Sequence, residues 1–296
     1  MSRQRWQRSC PPTAAMLLAL LGPLVATGGK EPKLTAEELV ARHLESLGPA
    51  PARAAVKSRV AQGTAHLIVL KGRYGNLRGP AAFATEGPKE SLAIEFNHKQ
   101  HPREAVAYDG HKVYAPRVVP EGRSRLGEFL FTYNQTLQEG LLGGTLSTAW
   151  PLLELAGRGP ELKYAGVKTV EGRRLHRLDY RIRRGPGDLR ISLYFELETY
   201  RHVRTSYRIV ITPGMRTDPT AVGGPQLQYE FAEKFSDFRQ VNGLTLPARW
   251  RIEYIIEGGG FQLDDSGTGI AWELEMNFDS IAHNQPIAPK VFVLEP

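Results

Sequence analysis

Apolar and polar residues follow two different periods along this chain. Near its start, Thr35 and Glu38 have the spacing of a capping box, and apolar residues then recur at helical spacing until Gly48. This pattern predicts one amphipathic helix from Ala36 to Leu47. The two prolines that follow Gly48 predict a short break in the chain.

From about Arg59 to the end of the chain, apolar residues alternate with polar ones. This alternation is typical of antiparallel strands with one buried and one solvated face. Asp109-Gly110 and Asn242-Gly243 are hairpin-turn dipeptides between such runs. The stretch from Phe129 to Leu155 lacks the alternation and predicts one or two short helices with a kink.

These elements predict a single domain over residues 29–296, of class α+β. We expect about ten strands in one large curved antiparallel sheet, an open half-barrel wrapped around a few short helices. A sheet of this size with so few helices tends to curl around them and to leave an apolar cleft. Alternatively, the helical segments fill the concave face and nothing binds there, and the alternation does not decide between these two arrangements.

If there is a cleft, its lining consists of large apolar residues from the late strands and from the helical stretch. These candidate ligand-binding residues are Trp150, Leu153, Trp250, Tyr254, Trp272, Met276 and Phe278.

Residues 1–28 have the layout of a secretory signal peptide. Three arginines precede an apolar run over 14–26, which is shorter than the ~20 residues that a membrane span needs. Small residues near Gly28 suit cleavage, although a membrane anchor that is never cut is the alternative. We therefore expect a periplasmic protein that is soluble after cleavage.

Composition changes this interpretation in two respects. The formal charge of +7 comes from 38 basic against 31 acidic residues, and loss of Arg3, Arg5 and Arg8 leaves 35 basic residues and a charge of +4. The single cysteine, Cys10, lies in the predicted signal peptide, so the mature chain has no thiol for a disulfide, a thiolate metal site or a nucleophile.

The arginines of the stretch 173–190 alternate with acidic residues on a predicted solvated strand face. For this reason we expect no nucleic-acid partner, while contact with anionic lipid headgroups stays open.

No catalytic signature is complete. Asp265-Ser266-Gly267 is similar to the loop of an aspartic protease, but that chemistry needs two carboxylates that share a proton, and the sequence has one copy. The same residues are typical of a turn.

His98, His101 and His111 are predicted to be exposed loop residues, because no further ligand completes a metal site. The sequence predicts a protein that is not an enzyme and has no cofactor.

The order of the elements and several turn motifs resemble a known family. The opening helix ends in RHLESLG (42–48), a strand and turn read LYFELETY (193–200), and a hairpin reads FRQVNGLTLP (238–247). A last strand then leads to NQPI (284–287). Over residues 34–296, these features resemble the LolA-like superfamily of periplasmic lipoprotein carriers, especially its uncharacterised relatives in outer-membrane lipoprotein sorting.

The resemblance implies a curved sheet around helices, with an apolar concave cavity that holds the acyl chains of a lipid or lipoprotein. It also implies an arginine that locks the closed state of the carrier, without identifying that arginine here. We therefore expect a periplasmic carrier that acts in transport and outer-membrane biogenesis, with peripheral membrane contact. The alternatives are an envelope-stress sensor or regulatory module of the RseB type, with an envelope protein as partner, and a hydrolase that uses Asp265.

Overall fold

The computed structural model of the chain describes residues 34–69, 75–120, 122–210, 228–257 and 268–295. Leu34–Pro296 is one compact unit. The predicted signal peptide with Cys10, and the Asp265 loop, lie outside the described residues. None of the helices in the described ranges has the length and hydropathy of a membrane span.

Helix α1 (Ala36–Leu47) has the predicted bounds and the predicted cap. The Thr35 hydroxyl accepts a hydrogen bond from the Glu38 amide at 3.1 Å, and the Glu38 carboxylate accepts one from the Thr35 amide at 2.8 Å. Two free amides of the first turn are thereby satisfied. The helix ends at Gly48, whose φ of 140° lies in the region that favours glycine.

The break predicted after α1 consists of Gly48 and Pro49 only, and a second helix that was not predicted follows it. Helix α2 (Ala50–Ala55) has Pro49 as its N-cap and Pro51 in its first turn. A proline in the first turn of a helix removes no intrahelical hydrogen bond, and its fixed φ suits the helix. Prolines at these positions therefore start a helix.

Twelve antiparallel strands form one sheet in the described part of the chain. Their bounds are β1 Ser58–Val69, β2 Asn76–Glu86, β3 Lys89–Glu95, β4 Arg103–Tyr108, β5 Val113–Tyr114, β6 Glu161–Val170, β7 Arg173–Arg181, β8 Leu189–Glu196, β9 His202–Val210, β10 Gln228–Val241, β11 Leu244–Glu257 and β12 Thr268–His283. The order across the sheet is β5-β4-β3-β2-β1-β12-β11-β10-β9-β8-β7-β6.

The first and last strands close the meander in the middle of the sheet, where β1 pairs with β12 from Arg59 opposite His283 to Val69 opposite Trp272. The two edges are β5 and β6, and they do not pair with each other. The sheet is therefore an open, curved half-barrel, as predicted. Since β5 and β6 are consecutive in sequence, the chain between them must cross from one edge to the other.

This crossing is made by residues 125–158, which we call the covering segment. It consists of α3 (Arg125–Thr132), α4 (Gln135–Gln138), 3-10 turns at Gly144–Leu146 and Pro151–Leu153, and α5 (Leu155–Arg158). Residues 140–152 are buried, apart from a half-buried Thr148. Another 3-10 turn, Pro289–Phe292, follows the last strand.

The alternation in the strands assigns their two faces as predicted. In β11, Leu246, Trp250 and Ile252 are buried in the hydrophobic core with the covering segment. On the other face, Arg251 pairs with Glu275 of β12 at 2.5 Å. One face of the sheet is thus apolar and covered, and the other carries charges.

The path of the covering segment depends on Gly140. Its φ is +71°, and a Cβ atom there would lie 2.2 Å from the carbonyl oxygen of Ala149. Gly87 has a φ of +55° with nothing within 4 Å of its Cβ position, so it has the same backbone strain without the close packing.

We expect Gly87→Ala to lower the free energy of unfolding by about 1–2 kcal/mol, the cost of a left-handed non-glycine residue. Gly140→Ala should lower it by about 4 kcal/mol or more, because the backbone of Ala149 must also shift. Denaturant unfolding of both variants measures this difference. Equal losses would show that the contact with Ala149 does not constrain the segment.

Candidate functional site

Most of the residues predicted to line a cavity lie where the covering segment meets the sheet. Trp150, Trp250, Trp272, Met276 and Phe278 are buried in one hydrophobic cluster. The structure therefore brings together three of the predicted residues from β12, one from β11 and one from the covering segment.

Two of the predicted lining residues have different surroundings. Tyr254 is half-buried, and its ring lies 4.8 Å from that of Phe231 and 6.0 Å from that of Tyr229. Leu153 is 37% exposed, so it faces solvent more than the other lining residues do. A ligand-binding role for all seven residues stays a prediction.

Side chains of the covering segment fill the concave face of the half-barrel. The ring of Phe129 stacks on Phe231 of β10 at 4.5 Å. Trp250 lies between Phe83 and Phe235, at 5.1 and 6.4 Å between ring centroids. Among the described residues, the covering segment thus fills the concave face around these rings. A ligand at these rings would have to take the place of the covering segment.

A buried arginine joins the sheet to the covering segment. Arg59 of β1 is 5% exposed, and its Nη1 donates to the carbonyl oxygens of Thr145 and Leu146 at 2.6 and 2.8 Å. Both carbonyls belong to a 3-10 turn, whose last acceptors have no partner within the turn itself. Arg59 therefore attaches the covering segment to β1.

The charge of Arg59 is balanced by dipoles. Among the described residues it forms no ion pair, and its Nε donates to Nε2 of His283 at 3.1 Å. Burial lowers the pKa of Arg59 to about 10, so the guanidinium stays charged at neutral pH. Burial, together with the charge of Arg59, lowers the pKa of His283 to about 4, so the histidine is neutral and accepts the hydrogen bond.

Two buried carboxyl groups hold the same part of the covering segment from other strands. Glu233 of β10 accepts hydrogen bonds from the Gly143 amide and the Tyr207 hydroxyl, both at 2.7 Å. Glu90 of β3 accepts one from the hydroxyl of Ser147. Burial raises the pKa of Glu233 to about 7, although its two hydrogen bonds oppose this shift. Burial, and to a lesser extent the nearby Glu233, also raises the pKa of Glu90 well above its ordinary value.

Helix α1 is attached to the covering segment through His43. The Trp150 Nε1 donates to His43 Nε2 at 3.1 Å, which leaves the ring proton on Nδ1, 3.1 Å from the Tyr200 carbonyl oxygen. Burial lowers the pKa of His43 to about 4, so the ring is neutral. The ring of His202 packs on Trp150 at 4.6 Å. Each ring nitrogen of His43 thus has a partner.

Arg59, Glu90 and Glu233 are not among the site residues predicted from the sequence. Each is a charged residue on the buried face of its strand, at an even spacing from buried apolar residues. Arg59 is in phase with Ala61, and Glu233 is in phase with its neighbours two residues away, Phe231 and Phe235. Their partners are far away in the sequence, and for this reason these residues were not found.

The prediction of exposed loop histidines is wrong for His101. His111 is exposed and His98 is half-buried, whereas His101 is buried, with Nε2 3.4 Å from a Glu104 carboxylate oxygen. The Ser124 hydroxyl, at the start of α3, donates to the same carboxylate at 2.6 Å and covers it. In the described ranges, no group of three or more His, Cys, Asp or Glu side chains is placed to hold a metal ion.

No family model matches the sequence, and the curated proteins give no significant match. Solved structures with a similar fold include a LolA superfamily protein from Nitrosomonas europaea, with 13% identity, a TM-score of 0.45, and coverage of 88% of this chain and 99% of that one. This protein from Nitrosomonas europaea is named for the superfamily that the sequence resembles.

Two further structures show lower similarity. A candidate outer membrane lipoprotein-sorting protein domain from Vibrio parahaemolyticus has 10% identity and a TM-score of 0.40, covering 87% and 97% of the two chains. One chain of the MucA/MucB complex of Pseudomonas aeruginosa has 12% identity and a TM-score of 0.21, covering 84% and 100%. Similarity at this level does not transfer the function of those proteins to this chain.

The raised pKa of Glu233 predicts how Glu233→Gln changes stability with pH. The folded protein holds a proton on Glu233 between the ordinary pKa of 4.5 and about 7, whereas the unfolded chain does not. The wild-type protein should therefore lose about 3 kcal/mol of stability from this group as pH rises through that interval. Glu233→Gln has no such group, so its stability relative to wild type should improve by that amount.

Urea unfolding of both proteins at about pH 5 and pH 8 tests this expectation, because the contributions of His43, His202 and His283 are common to both and cancel. Loss of the Glu233 charge also lowers the pKa of Glu90, which changes the relative stability in the same direction. A stability difference that is the same at both pH values would show that the pKa of Glu233 is not raised.

Proposed function

We propose that this protein is a carrier whose half-barrel takes up the acyl chain of a lipid or lipoprotein when the covering segment moves aside. The observation that supports it most directly is the pair of hydrogen bonds from Arg59 to the carbonyls of Thr145 and Leu146. They join the covering segment to β1 above an apolar face, and we expect this attachment to break without unfolding of the sheet.

The chemistry of the attachment supports a movable cover. Arg59, Glu90 and Glu233 lose their hydration when they are buried, and hydrogen bonds to charged groups contribute only about 1.5–3 kcal/mol each to stability. Purely apolar packing would hold the segment at lower desolvation cost. Polar contacts instead define one closed position and exchange for water when the segment leaves.

The surface beneath the cover suits an acyl chain. Trp250, Trp272, Met276 and Phe278 form part of one apolar cluster that the covering segment shields from water. Burial of an acyl chain with about 15 methylene groups is worth about 12 kcal/mol. This exceeds the contribution of the polar contacts at Arg59, and the acyl chain would also have to replace the apolar contacts that the displaced segment makes with the sheet.

The proposal includes export. With the predicted signal peptide over 1–28, the protein would act in the periplasm as a soluble carrier, with a lipid or an acylated lipoprotein as ligand and only peripheral contact with the membrane. Its role would be binding and transport, without catalysis.

The positions of the tryptophans provide a direct test of acyl-chain entry. After cleavage the tryptophans are Trp150, Trp250 and Trp272, all buried at the concave face. A lysophospholipid with bromine atoms in its acyl chain should quench their fluorescence, since bromine quenches at short range. The unbrominated lipid of equal length should bind without quenching.

Native mass spectrometry of the protein from a periplasmic extract, with and without organic extraction, should show a lipid adduct that extraction removes. Binding of the brominated lipid without quenching would place it outside the half-barrel and contradict the proposal. No adduct and no quenching would also contradict it, and would favour a sensor of the RseB type.

Release of the covering segment should increase the affinity for acyl chains. We expect Arg59→Met to raise the affinity for the lysophospholipid by about tenfold or more, because a larger fraction of the protein is open. Arg158→Met is the matched control. Arg158 also donates to backbone carbonyls, of Glu139 at 2.8 Å and Ala149 at 3.0 Å, but these lie within the covering segment itself.

Fluorescence titration measures the affinities, and near-UV circular dichroism shows that each variant is folded. If Arg59→Met does not fold, Arg59→Lys, which keeps the charge and loses part of the hydrogen bonding, should show a smaller increase. An equal effect of the Arg158 variant, or no effect of either Arg59 variant, would contradict the proposed role of Arg59.

A further inference from the structure

A groove with an excess of positive charge lies away from the covering segment, across strands β6 to β9. Its volume is about 580 Å³. The charged residues that line it are Lys163, Arg177, Arg181, Arg190 and Arg208, against Glu161 and Asp179. Arg190 and Arg208 lie on the outer face of the sheet, since the residues that alternate with Arg190 in β8, such as Ile191, belong to the core.

Three of these arginines lie side by side on neighbouring strands. Arg190 of β8 is directly opposite Arg208 of β9. On its other side, Tyr180 of β7 pairs with Ile191, so Arg181 is the neighbour of Arg190. Like charges directly opposite each other in a sheet are destabilising. The row Arg181-Arg190-Arg208 therefore costs stability unless negative charge is supplied.

Carboxylates compensate the positive charge of this row only at its two ends. Arg208 lies 3.3 Å from Glu230, which is shared with Arg204 at 2.8 Å. Arg181 lies 3.5 Å from Glu161, and both side chains are exposed. Arg190, in the middle of the row, is exposed and forms no ion pair with any carboxylate in the described ranges.

A second row of cations on the same outer face shows how the fold compensates like charges elsewhere. Lys234 of β10 is opposite Arg204 of β9 on one side and Arg251 of β11 on the other. Each lies within 3 Å of a carboxylate: Glu230 with Arg204 at 2.8 Å, Glu253 with Lys234 at 2.9 Å and Glu275 with Arg251 at 2.5 Å. The row at Arg190 has the same geometry without the matching carboxylate at its centre.

We propose that this groove binds a phosphate-type oxyanion between Arg190 and Arg208, with Arg181 as a third contact. Guanidinium groups bind phosphate and carboxylate oxygens through two parallel hydrogen bonds, and three of them around one site favour the more highly charged phosphate. The anion is either free phosphate or the phosphate of a lipid headgroup. This site does not depend on the proposed carrier function, because it lies on the opposite face of the sheet.

The test compares Arg190→Gln with Arg239→Gln, which removes the same charge from an exposed arginine outside the groove, paired with Asp237. Titration with inorganic phosphate at constant ionic strength should show binding to wild type and to the Arg239 variant. Arg190→Gln should bind phosphate about tenfold more weakly or worse, since a charge-assisted contact is lost.

Thermal unfolding gives an independent measurement. Without phosphate, Arg190→Gln should have a Tm equal to or above that of wild type, because repulsion in the row is relieved. Phosphate should raise the Tm of wild type and of Arg239→Gln, and should raise the Tm of Arg190→Gln much less.

Sedimentation with vesicles distinguishes the two sources of the anion. Arg190-dependent binding to phosphatidylcholine vesicles with phosphatidylglycerol, and not to phosphatidylcholine alone, indicates a lipid headgroup, whereas phosphate binding without vesicle binding indicates the free ion. No binding of either, or equal losses in the two variants, would overturn the proposal. Quenching by the brominated lipid should be unchanged in Arg190→Gln, so failure of this site is separable from failure of the carrier function.

Discussion

The half-barrel has two free edges, β5 and β6, and these strands follow each other in sequence. The chain between them must therefore cross the concave face, and the covering segment over 125–158 is this crossing. The crossing cannot be regular, because its backbone turns several times in a small space and exposes carbonyl and amide groups that need partners. Arg59, Glu90 and Glu233 supply those partners from the sheet. The position of the segment depends on them more than on any property of its own helices, of which the longest has eight residues.

These polar contacts are costly to bury, and their burial determines their charge states. Arg59 remains a cation, held by carbonyl dipoles and by a neutral histidine. Glu233 has a pKa of about 7, and so its charge responds to small changes in pH near neutrality. His43 is neutral and has a partner on each ring nitrogen. The closed arrangement is therefore specified by hydrogen bonding, while most of the buried area is apolar.

The two faces of the sheet are stabilised by different interactions. On the concave face, shape and apolar area dominate, and aromatic rings such as those of Phe83, Phe235 and Trp250 pack against one another. On the outer face, cations of adjacent strands lie opposite one another and their repulsion must be balanced. The balance is complete along the row through Lys234 and incomplete at Arg190. The two binding sites that we propose, for an apolar chain and for an oxyanion, therefore lie on opposite faces and depend on different interactions.

The sequence by itself determined the elements whose signal is local. The capping box at Thr35 and the alternation in β11 depend on residues close together in the chain, and both predictions are confirmed. Helix α2 was not predicted, because a proline such as Pro51 is compatible with a break and with the first turn of a helix. Whether the concave face is filled, whether His101 is exposed, and which arginine holds the cover were decided only by the tertiary structure. The carbonyls of Thr145 and Leu146 lie 86 and 87 positions from Arg59, and burial, pairing and pKa depend on such distant neighbours. The sequence pattern records the face on which a residue lies, and the fold determines what it meets there.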